Sequence, residues 1–423
     1  MSSSFLQGWM DLPLELLELI LQRLSLMDNL MSCRATCRSW RKACEAVLFS
    51  SQLLLRLSLL SSMHVSSQSS SRSFEPDCTA NNIIGILSAP WSNHDSIMLT
   101  ETWPHRTCLN DISRVHSVQG WLMFNNFHCV RHNKKDQTFS ELSFFNPFSR
   151  ARFKLPKLFL FSRFSERSRP RYCQLRLVFN SAPPGSEGFV VVFLFVFSYQ
   201  NRTLMAPKNM KQRLAFIRFK QGSWIEESIE TKEIFYDVAV DDDDKLYGLK
   251  FKRNTSVVFV FNLREHYHER LVMLNPIKDI NFEGFLFGST SFYRRHRLAM
   301  DTSTGELLLV HRLEHAWSSL FRFTEGFRVY KLERSNLRWC EVLDIGDRFL
   351  FWDDRKVSVL SAKGLRVPEE FKGGNCIFFC DEHDDHDRGV FFLADRTITR
   401  FRDPTRNSFL RSFQEMWFTP SPY

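Results

Sequence analysis

Residues 189–197 read Phe-Val-Val-Val-Phe-Leu-Phe-Val-Phe, and this run decides the class of fold. β-Branched and aromatic side chains favour extended backbone, and a run without polar residues indicates a strand that is buried on both faces. At nine residues it is the longest apolar run in the chain. A membrane-spanning helix needs roughly 18 apolar residues, so the sequence predicts no transmembrane helix.

The pattern of this strand extends over most of the sequence. From about residue 80 onward, short apolar runs alternate with polar turns, and helical periodicity is almost absent. Regular short strands over some 340 residues, in a chain with 42 phenylalanines, predict a closed or radial all-β fold. The clearest strands are 121–124, 141–145, 213–219, 256–261, 307–310, 327–332, 349–352 and 390–393.

A weak internal repeat narrows the choice of all-β fold. Residues 214–220 lead through a polar turn to Trp224, and residues 327–332 lead in the same way to Trp339. A strand, a turn and a tryptophan that packs on the next strand are typical of a propeller blade. At about 45–50 residues per blade, the region predicts a β-propeller of six or seven blades.

The first fifty residues show helical spacing instead. Asp11 lies near a helix cap, and Pro13 occupies a first-turn position. Leu16, Ile20 and Leu24 follow at i, i+4 and i+8 and form one apolar stripe, which two further leucines widen. These positions predict the first helix of the chain and an apolar face on it.

Two more short helices are predicted, one capped by Asp28 and one by Ser39. Three short helices in about 40 residues bury too little apolar surface to be stable alone. Such a module usually shares its apolar face with a partner. The alternative is a small bundle in which the stripe is simply the core.

The same residues closely resemble the F-box motif over about residues 8–49. The resemblance is carried by Trp-Met-Asp-Leu-Pro-Leu-Glu-Leu-Leu at 9–17, by the Ile20 to Leu24 spacing, and by Cys-Arg-Ser-Trp-Arg at 37–41. It implies binding to a Skp-type adaptor, which connects to a cullin scaffold and a ubiquitin-charged enzyme. The residues implied in that contact are Leu12, Pro13, Leu16, Ile20 and Leu24, with Trp40 packed near them.

A serine-rich tract at 61–73 is too polar to bury itself and predicts a linker. The leucine-rich run at 53–60 before it is expected to extend the helical module. The expected organisation is multidomain α+β: an F-box at 8–49, a helical extension and linker at 50–79, and a β-propeller at 80–423.

The propeller region resembles the KIB-type β-propeller of plant F-box proteins from about residue 83 to 402. Five motifs occur in the order of that family: 145–156, 305–310, 346–351, 374–379 and 389–393. Phe392 and Arg396 depart from the pattern, where an acidic residue and a glycine are common. The resemblance implies capture of a substrate protein for ubiquitination by a non-catalytic receptor, and it names neither the substrate nor the residues that contact it.

The net charge of +9 is concentrated in one region. Residues 152–220 contain fourteen Lys and Arg but only two acids, Glu166 and Glu187. Such an excess can attract an acidic protein surface or a nucleic acid backbone, although solvated strands and loops explain it more simply. The simpler explanation is preferred, and a nucleic-acid-binding protein is kept as an alternative.

Three clusters could suggest a metal or catalytic site. Cys376 and Cys380 are joined by His383 and His386, but four residues of strand separate the two thiols by about 13 Å, too far for one zinc ion. Asp241–Asp244 cannot converge on calcium without a turn-forming glycine, so a solvated turn is expected. The acidic and histidine residues at 382–387 are expected to form a charged loop.

No sequence motif anchors a nucleophile, a catalytic base or a phosphate. We therefore expect no catalytic residue, no metal and no cofactor. The alternative function is a non-ligase propeller, either a binding protein or an enzyme, with a degenerate F-box, for which residues 382–387 are the motivation.

The scattered cysteines and the N-terminal residues Met1–Phe5 predict the cellular compartment. The ten cysteines include no tight pair, and the first residues lack the basic and apolar segments of a secretory signal. An intracellular protein of the nucleus or the cytoplasm, with reduced thiols, is expected.

Overall fold

The structure is a computed structural model. It describes residues 12–23, 33, 36–50, 55–61, 82–88, 96–102, 115–118, 120–132, 135–146, 151–164, 172–198, 210–229, 233–252, 255–264, 267–272, 296–316, 322–353, 356–363, 367–380, 387–401 and 412–418.

Two α-helices, α1 (Leu14–Arg23) and α2 (Arg38–Ser50), lie in the described part of the N-terminal region and pack against each other. They correspond to the first and last of the three helices expected. The middle helix, predicted from Asp28 onward, falls outside the described residues apart from Cys33. The expectation of a three-helix module is therefore corrected to two helices in the described residues.

Within the described residues twenty-six strands follow, in six antiparallel or mixed sheets that we label A to F. The strands of sheets A to C are β1 (Leu55–Ser61), β2 (Asn82–Ser88), β3 (Ser96–Thr102), β4 (Val115–Val118), β5 (Trp121–His132), β6 (Lys135–Phe145), β7 (Arg152–Lys154), β8 (Leu158–Phe164), β9 (Tyr172–Phe179), β10 (Val190–Ser198), β11 (Met210–Lys220) and β12 (Ser223–Ile229).

The strands of sheets D to F, and the last strand of sheet A, are β13 (Asp237–Val240), β14 (Lys245–Lys252), β15 (Thr255–Asn262), β16 (Tyr267–Val272), β17 (His296–Asp301), β18 (Glu306–Ala316), β19 (Arg322–Glu333), β20 (Arg338–Val342), β21 (Arg348–Trp352), β22 (Val357–Ser361), β23 (Cys376–Cys380), β24 (Arg388–Phe392), β25 (Thr397–Arg400) and β26 (Ser412–Phe418). A short 3-10 helix lies at Glu369–Phe371.

The strand order within the sheets shows a propeller. The orders are β26-β1-β2-β3 in A, β4-β5-β6-β7 with β8 beside β6 in B, β12-β11-β10-β9 in C, β13-β14-β15-β16 in D, β17-β18-β19-β20 in E and β22-β21-β23-β24-β25 in F. Edge strands of neighbouring sheets meet, since β13 contacts both β9 and β17, β17 contacts β22, and β26 contacts β4. The sheets are thus arranged around a common centre.

The number of blades differs from the expectation of six or seven. Sheets B to F consist of consecutive strands and form five blades in the described residues, whereas sheet A combines strands from both ends of the chain. The five blades occupy residues 115–400, about 57 residues each, because their strands are long: β5 and β6 have 12 and 11 residues. Each blade therefore uses more residues than the 45–50 expected, and fewer blades result.

The leucine-rich run before the serine tract is a strand, not a helical extension. Leu55–Ser61 forms β1, which pairs with β2 on one side and with β26 on the other. Its leucines alternate with Arg56 and Ser58, a period of two that fits a strand better than a helix. The β-structure therefore begins at Leu55, five residues after the end of α2 and ahead of the serine tract.

The prediction of a buried strand at 189–197 is confirmed. Residues Phe189 to Val196, which lead into and form most of β10, are at most 2% exposed. Val190, Val192, Leu194 and Val196 pack with residues of sheet D, and Phe189, Val191 and Phe193 pack with residues of sheet B. The strand is apolar on both faces because each face is covered by a neighbouring blade.

The repeated tryptophans also pack between blades. Trp224 on β12 stacks on Phe153 of sheet B at a centroid distance of 6.2 Å. Trp339 on β20 is buried in a cluster that includes Tyr236 and Tyr247 of sheet D. In both cases the tryptophan of an outer strand contacts the preceding blade, so it contributes to the stacking of blades.

Candidate adaptor-binding face

Helix α1 has one buried and one exposed apolar face. The backbone carbonyl of Pro13 accepts hydrogen bonds from the N–H groups of Leu16 and Leu17, which begins the helix at the proline. Leu17 and Leu21, at i and i+4, are fully buried. Leu16 is 46% exposed and Leu19 is 52% exposed, so apolar side chains remain on a separate face of the same helix.

The residues that sequence resemblance assigned to the adaptor contact divide between exposed and buried positions. Pro13 and Leu16 are exposed, and Leu12 and Ile20 are half-buried. Trp40 is only 8% exposed and lies on the buried side of α2 with Ala43 and Cys44. Leu24 lies outside the described residues. The structure therefore leaves Pro13, Leu16 and part of Ile20 accessible, while their role in adaptor binding stays a prediction.

Sequence reasoning missed Leu19, the most exposed large apolar residue of α1. It lies three residues after Leu16 and one before Ile20, so the three side chains share one face at i, i+3 and i+4. The i+3 spacing from Leu16 is the signal that predicts it, whereas a stripe at i, i+4 and i+8 does not include Leu19. We call Leu16, Leu19 and Ile20 the apolar face of α1.

Helix α2 is divided in the same way between apolar and charged side chains. Trp40, Ala43 and Cys44 form its buried side at i, i+3 and i+4. Arg38, Arg41 and Lys42, with the same spacing, are all exposed on the other side. We call these three residues the basic stripe of α2.

The propeller contains a fully buried ion pair that includes the last residue of a candidate catalytic cluster. Asp387, the last residue of the acidic segment 382–387, accepts hydrogen bonds from Arg312 Nη2 at 2.6 Å and from Thr324 N at 2.8 Å. Arg400 Nη1 also donates to this carboxylate. The hydrogen-bond donors to Asp387 come from sheets E and F, so this acid connects two blades. Residues 381–386 lie outside the described residues.

A second buried acid connects three blades. Asp237, on β13 of sheet D, accepts a hydrogen bond from Arg176 Nη1 of sheet C at 2.5 Å. Its other carboxylate oxygen accepts from the backbone N–H of Leu298 in sheet E at 2.7 Å. The pair is about 5% exposed on either side. Both acids therefore have a structural explanation and neither is directed at a ligand.

The four consecutive aspartates at 241–244 form the turn between β13 and β14, as expected, but two of them are buried. Asp241 accepts hydrogen bonds from the N–H groups of Asp243 and Lys245 and from the Tyr247 hydroxyl. Asp244 accepts from Arg264 Nε at 2.9 Å. The expectation of a fully solvated turn is corrected, because these carboxylates satisfy local backbone and side-chain donors.

The two cysteines that suggested zinc lie on β23 in the core of sheet F. Cys376 and Cys380 are at most 1% exposed and belong to one apolar cluster with Phe349 and Phe378. Burial raises the pKa of the Cys376 thiol to about 12. A thiol that stays protonated is a poor zinc ligand. In the described part of the chain no group of three or more metal-binding side chains occurs.

Part of the basic region at 152–220 is paired with acids where the structure describes it. Arg176 pairs with Asp237, Arg213 with Glu226, Arg218 with Asp244 and Lys157 with Glu141. The nucleic-acid alternative required these charges to form an open track. The four paired charges do not contribute to such a track, whereas Arg152, Lys154 and Lys220 are exposed. The nucleic-acid alternative stays untested.

Among the described residues, no helix is both long enough and apolar enough to cross a membrane.

Two packed helices, of which α1 has an exposed apolar face, precede a ring of β-sheets. This combination is typical of an F-box and β-propeller protein. The F-box domain model matches residues 9–52. The model described as the KIB1-4 beta-propeller matches residues 91–392. The chain belongs to the KIB1-4 beta-propeller family. Plant origin stays a prediction.

Comparison with solved structures finds matches of low similarity. TolB from Acinetobacter baumannii is 9% identical at a TM-score of 0.33, with 86% of this chain and 66% of TolB covered. The propeller domain of the trilobed protease from Pyrococcus furiosus is 9% identical at 0.30, with 70% and 72% covered. Kuenenia stuttgartiensis hydrazine synthase is 10% identical at 0.37, with 87% and 47% covered. No curated protein matches the chain.

Proposed function

We propose that this protein is the substrate-recognition subunit of an SCF-type ubiquitin ligase. The F-box docks a Skp-type adaptor, and through it a cullin scaffold, while the propeller holds the target protein. The protein itself performs no chemistry. It raises the local concentration of the target at the ubiquitin-charged enzyme, which is a proximity effect.

The observation that carries this proposal is the apolar face of α1. Leu16 and Leu19 are about half exposed, although Leu17 and Leu21 on the same helix are fully buried. Covering the exposed half of a leucine stabilises a complex by about 1 kcal/mol. A short module that keeps such side chains in water gains by binding a partner, and the F-box match supports a Skp-type adaptor as that partner.

The adaptor contact is tested by co-purification of full-length variants with a Skp-type adaptor. Leu16→Asp, and the double variant Leu12→Ala with Pro13→Ala, are expected to lose the adaptor. Glu15→Ala alters a neighbouring exposed polar residue of α1 and serves as the matched control. Circular dichroism confirms that the propeller is folded in each variant. Retention of the adaptor by Leu16→Asp at wild-type levels would contradict the proposal.

The target is identified by proximity labelling in cells, with and without a proteasome inhibitor. Proteins captured by the propeller and degraded should accumulate only when the proteasome is blocked. The same experiment in nuclear and cytoplasmic fractions tests the proposed location in one or both compartments. A set of labelled proteins that is unchanged by the inhibitor argues for a propeller that binds partners without leading to their degradation.

A further inference from the structure

Sheet A joins the F-box to the propeller through a very short piece of chain. Helix α2 ends at Ser50, and β1 begins at Leu55. Consecutive Cα atoms are 3.8 Å apart, so these two residues lie within about 19 Å of each other. We call residues 51–54 between them the junction. We infer that sheet A anchors the F-box beside the propeller, and that the serine tract is not a linker between the two domains.

Strand β1, to which the junction leads, is held from both sides. It pairs with β2 along residues 56–61 and with β26 along residues 55–60. A strand between two partners uses its backbone N–H and C=O groups in two hydrogen-bond ladders, so it leaves the sheet only if both ladders break. The F-box is therefore attached to a central strand and not to a loose end of the β-structure.

The same sheet closes the propeller ring. Strand β26 is the last strand of the described residues, and it contacts β4 of sheet B. Its final residue, Phe418, pairs with Leu55, the first residue of β1. The two ends of the described β-structure thus meet at the point where the junction enters. Loss of the ladder between β1 and β26 would open the ring and leave β1 as an edge strand.

The serine tract at 61–73 lies within the propeller, because the strands before and after it belong to the same sheet. It is part of the connection between β1 and β2, which are neighbours in sheet A. Ser61, the last residue of β1, pairs with Ile83 of β2, and paired strands lie about 5 Å apart. A connection whose two ends are held so close together does not set the separation of two domains. The boundary between the domains then falls in the junction.

A short junction restricts the geometry of a ligase subunit. This consequence rests on the proposed function, since it concerns an adaptor on α1 and a target on the propeller. Anchoring keeps the two partners at a nearly constant separation, which limits the target lysines that reach the ubiquitin-charged enzyme. The anchoring itself involves neither partner, so it is tested on the free protein.

The first test measures the distance between the F-box and the propeller in the full chain. Fluorophores are attached through unnatural amino acids at Lys42 on α2 and at Lys220 on β11, which are both exposed. Single-molecule energy transfer should give one narrow distribution of distances. A coil of about twelve Gly and Ser residues, roughly 20 Å from end to end, is then inserted between residues 52 and 53. The matched control has the same coil between residues 67 and 68.

The insertion in the junction should broaden the distribution, because it releases the F-box from sheet A. The insertion in the serine tract should leave the distribution as it is in the wild-type protein. Equal broadening by the two insertions overturns the inference, and so does a broad distribution in the wild-type protein. A junction insertion without any effect also overturns it, since contacts other than the junction would then hold the F-box.

The second test requires no change to the chain. Hydrogen exchange followed by mass spectrometry measures how often sheet A opens in the wild-type protein. Peptides that cover 55–61 and 412–418 should exchange together, at least about 100-fold more slowly than in the unfolded chain. Exchange of either strand at the rate of the unfolded chain overturns the inference, because a strand that opens freely does not anchor a domain.

The two tests are independent of the proposed function. Failure of a Skp-type adaptor to bind would contradict the proposed function and leave the distance and exchange measurements unchanged. A broad distribution of distances would contradict the anchoring, although the adaptor could still bind α1.

Discussion

Arg312 and Asp387 form an ion pair whose side chains are both 0% exposed, with Nη2 of the arginine 2.6 Å from Oδ2 of the aspartate. They are 75 residues apart in sequence and connect sheets E and F. Thr324 adds its hydroxyl and its backbone N–H to the same carboxylate oxygen. Replacing one member of such a pair leaves the other charge buried without its partner, so the pair can be used to test how sheets E and F are held together.

Asp387→Asn should destabilise the propeller by about 3 kcal/mol, because it leaves Arg312 buried without its closest counter-charge. Urea unfolding followed by tryptophan fluorescence measures the change. Glu341→Gln is the control, since it removes an exposed pair with Arg396 and should cost less than about 1 kcal/mol. If both substitutions have the same effect, the buried pair does not hold the blades together.

The stability of the propeller should decrease at acid pH because of a cluster of carboxyl groups between sheets E and F. Burial alone raises the pKa of Asp301 and of Glu306, but hydrogen bonds outweigh it, from Ser303 and Arg348 to the aspartate and from Lys331 and Arg348 to the glutamate. The pKa of each therefore lies below its ordinary value of 3.8 or 4.5.

A carboxyl group whose pKa is lower in the folded than in the unfolded protein stabilises the fold at a pH above its unfolded pKa. This stabilisation is lost as the pH decreases through its pKa in the folded protein. The contribution should therefore be complete above about pH 5 and decrease below the unfolded values of 4.5 and 3.8. Melting temperatures between pH 7 and pH 3 measure it. Arg348→Gln should lower stability at pH 7 and flatten this acid dependence, whereas an unchanged slope would count against the cluster.

Alkylation should distinguish the cysteines by their environment. Cys376 is buried and its pKa is raised to about 12, so its thiol should resist iodoacetamide in the folded protein at pH 8. Cys340 on β20 is half-buried and should react first of the two. Mass spectrometry of peptides before and after denaturation in urea provides the comparison. Rapid labelling of Cys376 in the native state would mean that sheet F opens.

Two adjacent glycines form a matched pair for the packing of sheet F. Gly374 has φ +71°, and a Cβ there would lie 2.6 Å from the backbone carbonyl carbon of Asp347. Gly373 has no neighbour within 4 Å of such an atom. Gly374→Ala should destabilise the protein by about 1–3 kcal/mol, and Gly373→Ala should be close to neutral. Equal melting temperatures for the two variants would contradict the close backbone approach at Gly374.

Local patterns in the sequence predicted much of this architecture. The apolar run at 189–197 predicted a strand covered on both faces, and the Leu-Pro start at 12–13 predicted a helix with an apolar stripe. Both depend on spacing within one element, where burial and period are directly related. Leu55–Ser61 was misjudged because a short leucine-rich run is compatible with a helix or a strand until its hydrogen-bonding partners are known.

The sequence by itself determined the order of the domains, the strand content of the propeller and the presence of an apolar stripe on α1, because each follows from local periodicity. Only the tertiary structure decided which strand closes sheet A, which acids are buried and what Asp387 binds. Those outcomes join residues that are tens or hundreds of positions apart. A carboxylate with the same local sequence can lie in solvent or bind a buried arginine, and only the neighbouring blades decide between them.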